Sequence, residues 1–265
     1  MLNVAELSAL MSAQLKKGVF TNSSMTAYGY LEDDPLTEAV SSGGSLLIFR
    51  HRPGFSLMNY YVQQDCKSIE IPDFCQCPIV CETAFRPKDE AAADRVMALL
   101  AGAGFEPALD RIRLSRSGCG GPPGGNVRII SPGPDQTQIL RTFLLANFNP
   151  LTGCIPPAGV LAKDLFAVAE TDGEITGMLH FSVERSFWEI RHLAVAPELR
   201  GKGLAARLLD AAQAEAGRIS GSKAEEGLRC RVWTGADNAP AIKFYEKHGF
   251  TADAYKSKVL IRNIR

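Results

Sequence analysis

The sequence predicts an α/β (α+β) fold, in which a mixed, mostly antiparallel sheet is flanked by helices and is preceded by a second α/β domain. Beyond residue 127, short apolar runs alternate with amphipathic helical segments in the order β-α-β-β-β-α-β-α-β-β. A run rich in glycine and proline at residues 117–126 cannot sustain a helix or a central strand. We therefore predict a first domain over residues 1–116, a linker over 117–126 and a second domain over 127–265.

The elements of the second domain follow from hydrophobic periodicity and from turn residues. The predicted strands are 127–131, 165–170, 175–184, 187–195, 228–234, 251–255 and 258–262. The predicted helices are 135–147, 204–216 and 238–247. Asp172-Gly173 between two apolar runs predicts a hairpin turn, and the Pro-rich segment 149–157 predicts a loop.

The first domain shows a less regular version of this pattern. The predicted helices are 4–16 and 88–101, and the predicted strands are 46–49, 55–63 and 77–85. Its last segment, residues 103–114, echoes residues 248–259, because in both a helix ends at Gly-Phe and a polar turn leads into a final strand. This echo indicates an internal duplication.

Composition excludes several classes of protein. With 46% hydrophobic and 22% charged residues, the chain has the composition of a globular protein. No apolar run is long enough to cross a bilayer, and the first residues lack the features of a signal peptide. The formal net charge of zero argues against nucleic-acid or membrane partners. We therefore expect a cytoplasmic protein without either partner, and a homodimer stays open.

The seven cysteines are an odd number without the spacing of a small secreted scaffold, so reduced thiols are expected. Cys66, Cys75, Cys77 and Cys81 could supply four thiolates to zinc, but their spacing is not that of a usual zinc knuckle. The last of them lies in a predicted strand, where cysteine packs as a small apolar residue. We therefore predict no metal site.

The most informative segment is 193–205, Leu-Ala-Val-Ala-Pro-Glu-Leu-Arg-Gly-Lys-Gly-Leu-Ala. It predicts the end of a strand, a short loop and the start of a helix. Free backbone N–H groups at a helix N-terminus favour a phosphate, and Arg200 and Lys202 add positive charge. Gly203 has no side chain to block such a group. The alternative is a solvated basic turn without a ligand.

Two flanking segments change the balance between these alternatives. Residues 189–195, Glu-Ile-Arg-His-Leu-Ala-Val, precede the loop, and residues 237–250, Asp-Asn-Ala-Pro-Ala-Ile-Lys-Phe-Tyr-Glu-Lys-His-Gly-Phe, follow it. Together with the loop they resemble the GNAT superfamily of acyl-CoA-dependent N-acyltransferases. Arg200-x-x-Gly203-x-Ala205 matches its Arg/Gln-x-x-Gly-x-Gly/Ala loop, and the later segment matches its Asn…Phe-Tyr-x-x-x-Gly-Phe region.

The resemblance covers residues 127–265 and implies a GNAT-like sheet there. The first domain lacks the loop motif, so we interpret the chain as a tandem GNAT protein with a degenerate first half and one coenzyme site. The implied acyl donor is acetyl-CoA, with its pyrophosphate on the loop and its pantetheine arm in a gap beside the preceding strand. The implied binding residues are Leu193, Ala194, Val195, Arg200, Gly201, Lys202, Gly203, Leu204, Ala205, Asn238 and Tyr245.

Leu193 and Val195 would bind through their main chains, and the binding role of Asn238 competes with a structural one. The resemblance implies that the Leu193 N–H polarises the acyl carbonyl, while main-chain groups of Leu193 and Val195 hold the pantetheine. It also gives Asn238 a contact with the pantetheine arm. Asn238 alternatively serves only as the N-cap of the following helix.

Glu189 matches a position at which GNAT enzymes carry a catalytic glutamate, and partial burial would raise its pKa into a useful range for a general base. Alternatively, it is a surface carboxylate paired with Arg191 or Arg185. Glu184 and His192 are weaker substitutes acting through water, and strand alternation predicts that His192 faces away from Glu189.

Tyr245 is implied to protonate the departing thiolate. Its alternative role is to fill the core beside Phe244 on an amphipathic helix. Phe244 itself is expected to be a core residue.

The predicted function is acetyl-CoA-dependent transfer of an acetyl group, directly, to a primary amine of a small molecule or amino acid. Two alternatives remain at this point: acetylation of protein or peptide N-termini, and a non-catalytic regulator that binds acyl-CoA. Specificity for the acceptor is expected to come from residues 149–160 and from the first domain.

Overall fold

The computed structural model describes residues 4–16, 18–22, 37–73, 75–118, 126–153, 155–221 and 228–263. The chain divides into two compact units, one formed by residues 1–111 and 254–265 and the other by residues 112–253. The predicted boundary lay a few residues later, and residues 119–125 of the predicted linker are outside the described residues. The C-terminal residues 254–265, which we assigned to the second domain, belong by their contacts to the first unit.

The first unit is a sheet covered by helices. Its helices are α1 (Val4–Leu15) and α2 (Glu90–Gly102). Its strands are β1 (Val19–Thr21), β2 (Thr37–Ser42), β3 (Ser45–Arg52), β4 (Phe55–Gln63) and β5 (Ile79–Phe85), with parts of β6 (Glu106–Ser117) and β12 (Thr251–Arg262). The strand order is β2-β3-β4-β5-β12, and β1 pairs with β4. All of these pairs are antiparallel except the short parallel pair β4–β5. The sequence analysis did not predict β1 and β2.

The second unit contains the remaining elements. Its strands are β7 (Arg128–Ile130), β8 (Leu165–Thr171), β9 (Glu174–Val183), β10 (Phe187–Val195) and β11 (Arg229–Gly235), and its helices are α3 (Pro134–Asn147), α4 (Ala158–Leu161), α5 (Leu204–Ser220) and α6 (Ala239–Lys247). The strand order is β6-β11-β10-β9-β8-β7. β7, β8, β9 and β10 pair antiparallel in turn, while β10 and β11 are parallel. No helix in the described ranges is long and apolar enough to cross a membrane.

Alternating strand residues build one core on each side of this second sheet. The α5-side core contains Leu179, Phe181, Trp188, Ile190, Leu208 and Leu209. The α3-side core contains Leu140, Leu144, Phe166, Val168 and Met178. The predicted class of fold, a mostly antiparallel mixed sheet flanked by helices, is confirmed.

The helix α5 lies very close to β9. A Cβ atom on Gly177 would be 3.0 Å from Leu204 Cδ2 and 3.1 Å from Leu208 Cδ1. These distances are tighter than ordinary van der Waals contact, so a side chain at Gly177 would press on the first turn of α5. Glycine at this strand position therefore sets how closely the start of α5 approaches the sheet.

The internal echo is present in the structure. Both α2 and α6 are followed, two residues after their last helical residue, by a glycine with a left-handed backbone, Gly104 (φ +87°) and Gly249 (φ +80°). The next residue in each case donates its N–H to a carbonyl five residues earlier, Phe105 to Leu100 and Phe250 to Tyr245, at 3.0 Å. This is the Schellman type of helix end. A 12-residue strand follows each helix, β6 and β12.

The prediction of two final strands, 251–255 and 258–262, was wrong, because β12 is continuous. Its residues 256–262 pair with residues 85–79 of β5 without interruption. The polar stretch that suggested a break is stabilised by specific contacts. Ser257 is buried and donates to Glu82 Oε1 at 2.5 Å, and Lys258 Nζ lies 3.6 Å from Asp110 Oδ1.

Candidate functional site

A gap opens between the parallel strands β10 and β11. Their register joins only residues 187–190 to residues 229–232. Both strands continue past this point, to Val195 and to Gly235. Main-chain groups of β10 after Ile190 therefore have no register partner on β11.

Main-chain groups of Leu193 and Val195 point toward this gap. Ala196 N donates to Thr176 O at 2.9 Å, and β10 pairs in register with β9 from His192 to Val195. In an antiparallel ladder, alternate residues bond to the same neighbour. Ala194 therefore directs its N–H and C=O at β9, while Leu193 and Val195 direct theirs away from it. Ala194, which was predicted as a binding residue beside them, does not offer its polar groups to the gap.

The loop at the end of β10 has the predicted strand–loop–helix form. Gly201 (φ +75°) and Gly203 (φ +79°) have left-handed backbones, which favour glycine. A Cβ atom at either position would meet nothing within 4 Å, so the space above the loop is open. Lys202 is exposed. α5 begins directly after Gly203, so the N–H groups of its first turn, including those of Leu204 and Ala205, point out of the helix.

Arg200 has a structural contact as well as a charge. Its Nε donates to Val195 O at 3.0 Å, which ties the guanidinium to the end of β10. The carbonyl of Val195 is thereby satisfied within the loop, and Leu193 offers the freer main-chain groups. Leu204 has a buried side chain in the α5-side core, so only its N–H faces the loop.

Glu189 lies on β10 with its side chain 23% exposed. Burial raises the pKa of Glu189, and the positive charges of Arg191, Arg231 and Arg113 oppose this shift. Arg191 Nη1 is 3.8 Å from Glu189 Oε2, a distance that allows attraction without a hydrogen bond. Glu189 therefore combines both features considered for it, a raised pKa and a loose ion pair with Arg191.

The prediction that His192 faces away from Glu189 was wrong, because β10 contains a bulge. Glu189 pairs with Ser182 and His192 pairs with His180, with a register shift between Ile190 and His192. Ser182 and His180 are two residues apart on one strand and so share a face. Paired residues share a face as well, which places Glu189 and His192 on the same side. The extra residue, Arg191, cancels the expected alternation.

Tyr245 lies on α6 and is 5% exposed in the α5-side core. Its ring contacts those of Phe244 and Phe250, at centroid distances of 5.2 and 5.3 Å. Burial, followed by the nearby Cys230 thiol, raises the pKa of Tyr245, so its hydroxyl keeps its proton at neutral pH. Tyr245 therefore packs as a core aromatic residue and also keeps a protonated hydroxyl.

Asn238 is the N-cap of α6. Its Oδ1 accepts a hydrogen bond from Ala241 N at 3.2 Å. This is the capping role that was left open beside a ligand contact. The same cap fixes the start of the helix that carries Tyr245.

Sequence reasoning missed a buried chain of hydrogen-bonded side chains on the face that carries Glu189. Asp164 Oδ2 lies 2.8 Å from His180 Nε2, and His180 Nδ1 lies 3.0 Å from His192 Nδ1. His192 Nε2 lies 2.7 Å from Gly153 O. The available signal was two histidines inside otherwise apolar strands, which is unusual without a partner.

The first unit has a comparable gap, and the chain itself fills it. β4 and β5 pair in parallel only at Ser56–Ile79 and Leu57–Val80, and β1 then pairs with β4. Asn22 follows β1 and donates its Nδ2 to Met58 O at 3.1 Å and to Glu82 O at 2.9 Å. Its Oδ1 accepts from Tyr60 N at 2.8 Å. One side chain thus bridges the two separating strands.

The cysteine side chains of the first unit show no metal-binding arrangement. Within the described ranges, no group of three or more His, Cys, Asp or Glu residues could hold a metal ion. Burial raises the pKa of Cys75 to about 11 and that of Cys81 further, so both are thiols at neutral pH. Cys66 donates to Ser68 O at 3.2 Å.

The second unit thus combines two separating parallel strands with a glycine loop and a helix N-terminus. Residues 162–252 match the family model described as "Acetyltransferase (GNAT) domain". This segment includes β8 to α6 and therefore the gap, the loop and α5. No curated protein matches the chain.

Solved structures extend the similarity to the rest of the chain. A tandem GNAT protein from the clavulanic acid biosynthesis pathway is 13% identical, with a TM-score of 0.58 over 99% of this chain and 95% of that one. A GCN5-related N-acetyltransferase from Sphaerobacter thermophilus is 14% identical, with a TM-score of 0.54 over 92% and 87%. A GNAT-family protein described as a putative acetyltransferase, from Novosphingobium aromaticivorans, is 17% identical, with a TM-score of 0.52 over 85% and 91%.

Residues 162–252 are therefore similar to a GNAT acetyltransferase domain. The whole chain has the fold of a tandem GNAT protein.

Proposed function

We propose that this protein is an acetyl-CoA-dependent N-acetyltransferase that moves the acetyl group directly to a primary amine of a small molecule or amino acid. The observation that carries this proposal is the gap between β10 and β11 with an open glycine loop at its end. A linear thioester coenzyme needs such a gap for its arm and a separate site for its phosphates. The GNAT match over the same residues supports this assignment.

The pyrophosphate of the coenzyme would lie on the loop from Arg200 to Gly203. The outward N–H groups of the first turn of α5 supply donors, and the helix dipole favours negative charge there. Lys202 adds an exposed positive charge, while Arg200 is held at the base of the loop by Val195 O. Open space over both glycines allows close approach of the phosphates.

The pantetheine arm would lie along β10, with Leu193 as the main contact. Its N–H and C=O point toward the gap, whereas those of Ala194 belong to the ladder with β9. In this arrangement the Leu193 N–H donates to the acyl carbonyl oxygen and stabilises the negative charge that develops there during attack. Asn238 contributes mainly by capping α6.

Glu189 is proposed as the general base. An aliphatic amine has a pKa of about 10.4 and must lose a proton before or during attack. Burial raises the pKa of Glu189 toward the range in which a carboxylate can accept a proton from the amine. Glu189 lies on the same face of the sheet as His192, and the acceptor would approach from that face. The new C–N bond forms as the C–S bond breaks, and the amine proton passes to Glu189.

Tyr245 is proposed to stabilise the leaving thiolate. A thiol has a pKa of about 8.5, below that of an ordinary phenol at about 10. Because burial raises the pKa of Tyr245 further, the hydroxyl donates a hydrogen bond to the sulfur more readily than it gives up its proton. The role inferred for Tyr245 is therefore closer to charge stabilisation than to complete proton transfer.

The first unit is proposed to bind no coenzyme. Asn22 and β1 already occupy the main-chain groups of β4 that the diverging strands would otherwise leave open. This supports one coenzyme site per chain, in the second unit.

The proposal is tested by following coenzyme A release from acetyl-CoA in the presence of a panel of amino acids and small primary amines. We expect turnover with at least one acceptor, and Glu189→Gln should lower it by about 10²- to 10⁴-fold while the affinity for acetyl-CoA is unchanged. Turnover only with peptide N-termini would favour the peptide-acetylating alternative. Binding of acetyl-CoA without turnover on either class would favour a regulator.

A further inference from the structure

The buried chain Asp164–His180–His192 connects four separate segments of the second unit. Asp164 follows α4, His180 lies on β9, His192 lies on β10, and Gly153 belongs to the loop after α3. His180 is fully buried, and Asp164 and His192 are 8% and 7% exposed. The two imidazole rings stack at 5.2 Å, and Phe166 stacks on His180 at 4.6 Å. Water therefore has little access to these bonds.

The number of protons in this chain follows from its acceptors. A carbonyl oxygen can only accept, so His192 Nε2 must donate to Gly153 O. One nitrogen must donate in the contact between the two Nδ1 atoms, and one atom must donate between His180 Nε2 and Asp164 Oδ2. Three hydrogen bonds thus need three protons. An ionised carboxylate with two neutral imidazoles carries only two, so the complete chain holds one additional proton.

The loop end of the chain is shaped to present its carbonyl. Gly153 N donates to Asn149 O at 2.7 Å, and a Cβ atom on Gly153 would lie 2.6 Å from that same oxygen. Asn149 Oδ1 accepts from Leu151 N and Thr152 N. The turn is therefore folded back on itself and requires glycine at residue 153. Phe148, at the start of this loop, contacts the His192 ring edge-on at 5.0 Å.

The hydrogen-bonded chain of Asp164, His180 and His192 consequently contacts both ends of the connection between α3 and β8. Gly153 lies near the beginning of this connection and Asp164 at its end, one residue before β8. His192 is adjacent to Leu193 and shares a face with Glu189. The connection thus meets the sheet on the side where the proposed base lies.

We propose that Asp164, His180 and His192 are positioning residues that fix residues 148–153 and 155–164 as the acceptor-side wall of the active site, and that they do so only while the hydrogen-bonded chain holds its third proton. This inference rests on the proposed function. Loss of that proton at high pH breaks one of the three bonds and releases the wall. Binding of the acceptor then weakens, while binding of acetyl-CoA at the loop after β10 does not.

Other charges act on this chain. Burial lowers the pKa of His180, the Asp164 carboxylate opposes this, and Arg191 adds to the lowering. Glu189 is the acidic group on the same face of β10. A cationic His180 is therefore disfavoured.

The decisive variant is Asp164→Asn. An amide carries its own N–H, so Asn at residue 164 can donate to His180 Nε2 and complete three bonds without a titrating proton. In the wild type, we expect the KM for the acceptor to rise at least tenfold between pH 7 and the pH at which the chain loses its proton, with the KM for acetyl-CoA constant. In Asp164→Asn, the KM for the acceptor should stay flat over this range.

Two further variants provide the controls. Asp164→Leu cannot donate or accept, so it should show the raised KM for the acceptor at every pH. Asp135→Asn makes the same chemical change at an exposed residue in the first turn of α3 and should behave as the wild type. A rise in the KM for the acceptor in Asp164→Asn that equals the rise in the wild type would overturn the proposal.

A second measurement does not need activity. Above about pH 7, the unfolded protein has an ionised Asp164 and neutral His180 and His192. These three side chains then carry one proton fewer than they do in the folded protein. The stability of the folded state must then decrease as the pH rises, until the folded chain loses its proton. Thermal unfolding should show this decrease in the wild type and not in Asp164→Asn. Parallel curves for the two proteins would contradict the proton count, even if no acceptor had been found.

Discussion

Asn22→Ala is the sharpest test of how the first unit is closed. The Asn22 side chain makes three hydrogen bonds with main-chain atoms, Met58 O, Glu82 O and Tyr60 N, and its Nδ2 also lies 3.4 Å from Cys81 Sγ. At about 1 kcal/mol net for each of these three bonds to main-chain atoms, the variant should lower the free energy required for local opening of β4 by about 3 kcal/mol. That corresponds to a loss of amide-exchange protection on the order of a hundredfold.

The assay is hydrogen–deuterium exchange followed by mass spectrometry on peptides that contain residues 55–63. Exchange is preferred to tryptophan fluorescence because Trp188 and Trp233 both lie in the second unit. Asn147→Ala is the matched control. Asn147 Nδ2 makes one bond to Phe143 O at the end of α3, so its loss should cost about 1 kcal/mol and leave β4 protected.

The result that would refute the reasoning is unchanged protection of residues 55–63 in Asn22→Ala. It would mean that the Asn22 side chain is not what holds the separated strands β4 and β5 together. The inference that the first unit binds no coenzyme would then rest on the pairing of β1 with β4 alone.

Three further predictions concern the second unit. The kcat of the wild type should fall as the pH drops through the raised pKa of Glu189, because the base acts only when it is ionised. Glu189→Gln should lower kcat by about 10²- to 10⁴-fold and should remove this fall of kcat at low pH. Tyr245→Phe should lower kcat about 10²-fold without loss of thermal stability, since the ring keeps its packing; unchanged kcat would leave Tyr245 only its core role. Gly177→Ala should destabilise the fold by about 1 kcal/mol in thermal unfolding and weaken acetyl-CoA binding through the first turn of α5; Gly159→Ala, with nothing within 4 Å, should do neither.

The strand–loop–helix form of residues 193–205 was predictable because its physical requirements are local. The apolar end of a strand, a loop with two glycines and an amphipathic helix from Leu204 are all readable over a dozen residues. The Gly-Phe ends of α2 and α6 were predictable for the same reason, since a Schellman helix end depends on one glycine and one following apolar residue.

Features that depend on pairing between distant segments were not predictable. The bulge at Arg191 reverses the face of His192, and no residue in β10 signals it. Asn22 reads as an ordinary polar residue until β4 and β5 are seen to separate around it. The continuity of β12 likewise depends on Glu82 and Asp110, which satisfy its polar residues from far away in the chain.

The site residues show the same difference between local features, which the sequence predicts, and contacts between distant segments, which it does not. The sequence identified Glu189, but only the structure shows the three arginines that oppose its raised pKa. It gave main-chain roles to Leu193 and Val195, and the ladder with β9 shows that Ala194 directs its own polar groups at β9. His180 and Asp164 were missed, because their relation to His192 exists only after three segments have come together.

The central claim is that acetyl-CoA binds once per chain, on the loop before α5. Calorimetric titration of the wild type, Gly203→Glu and Gly173→Glu with acetyl-CoA tests it most directly. Gly173 is the matched control, because its left-handed backbone (φ +82°) and its open surroundings are like those of Gly203 (φ +79°). We predict one site per chain in the wild type and in Gly173→Glu, and no binding in Gly203→Glu, where a carboxylate would meet the phosphates. Two sites per chain, no binding to the wild type, or unaltered binding to Gly203→Glu would contradict the account.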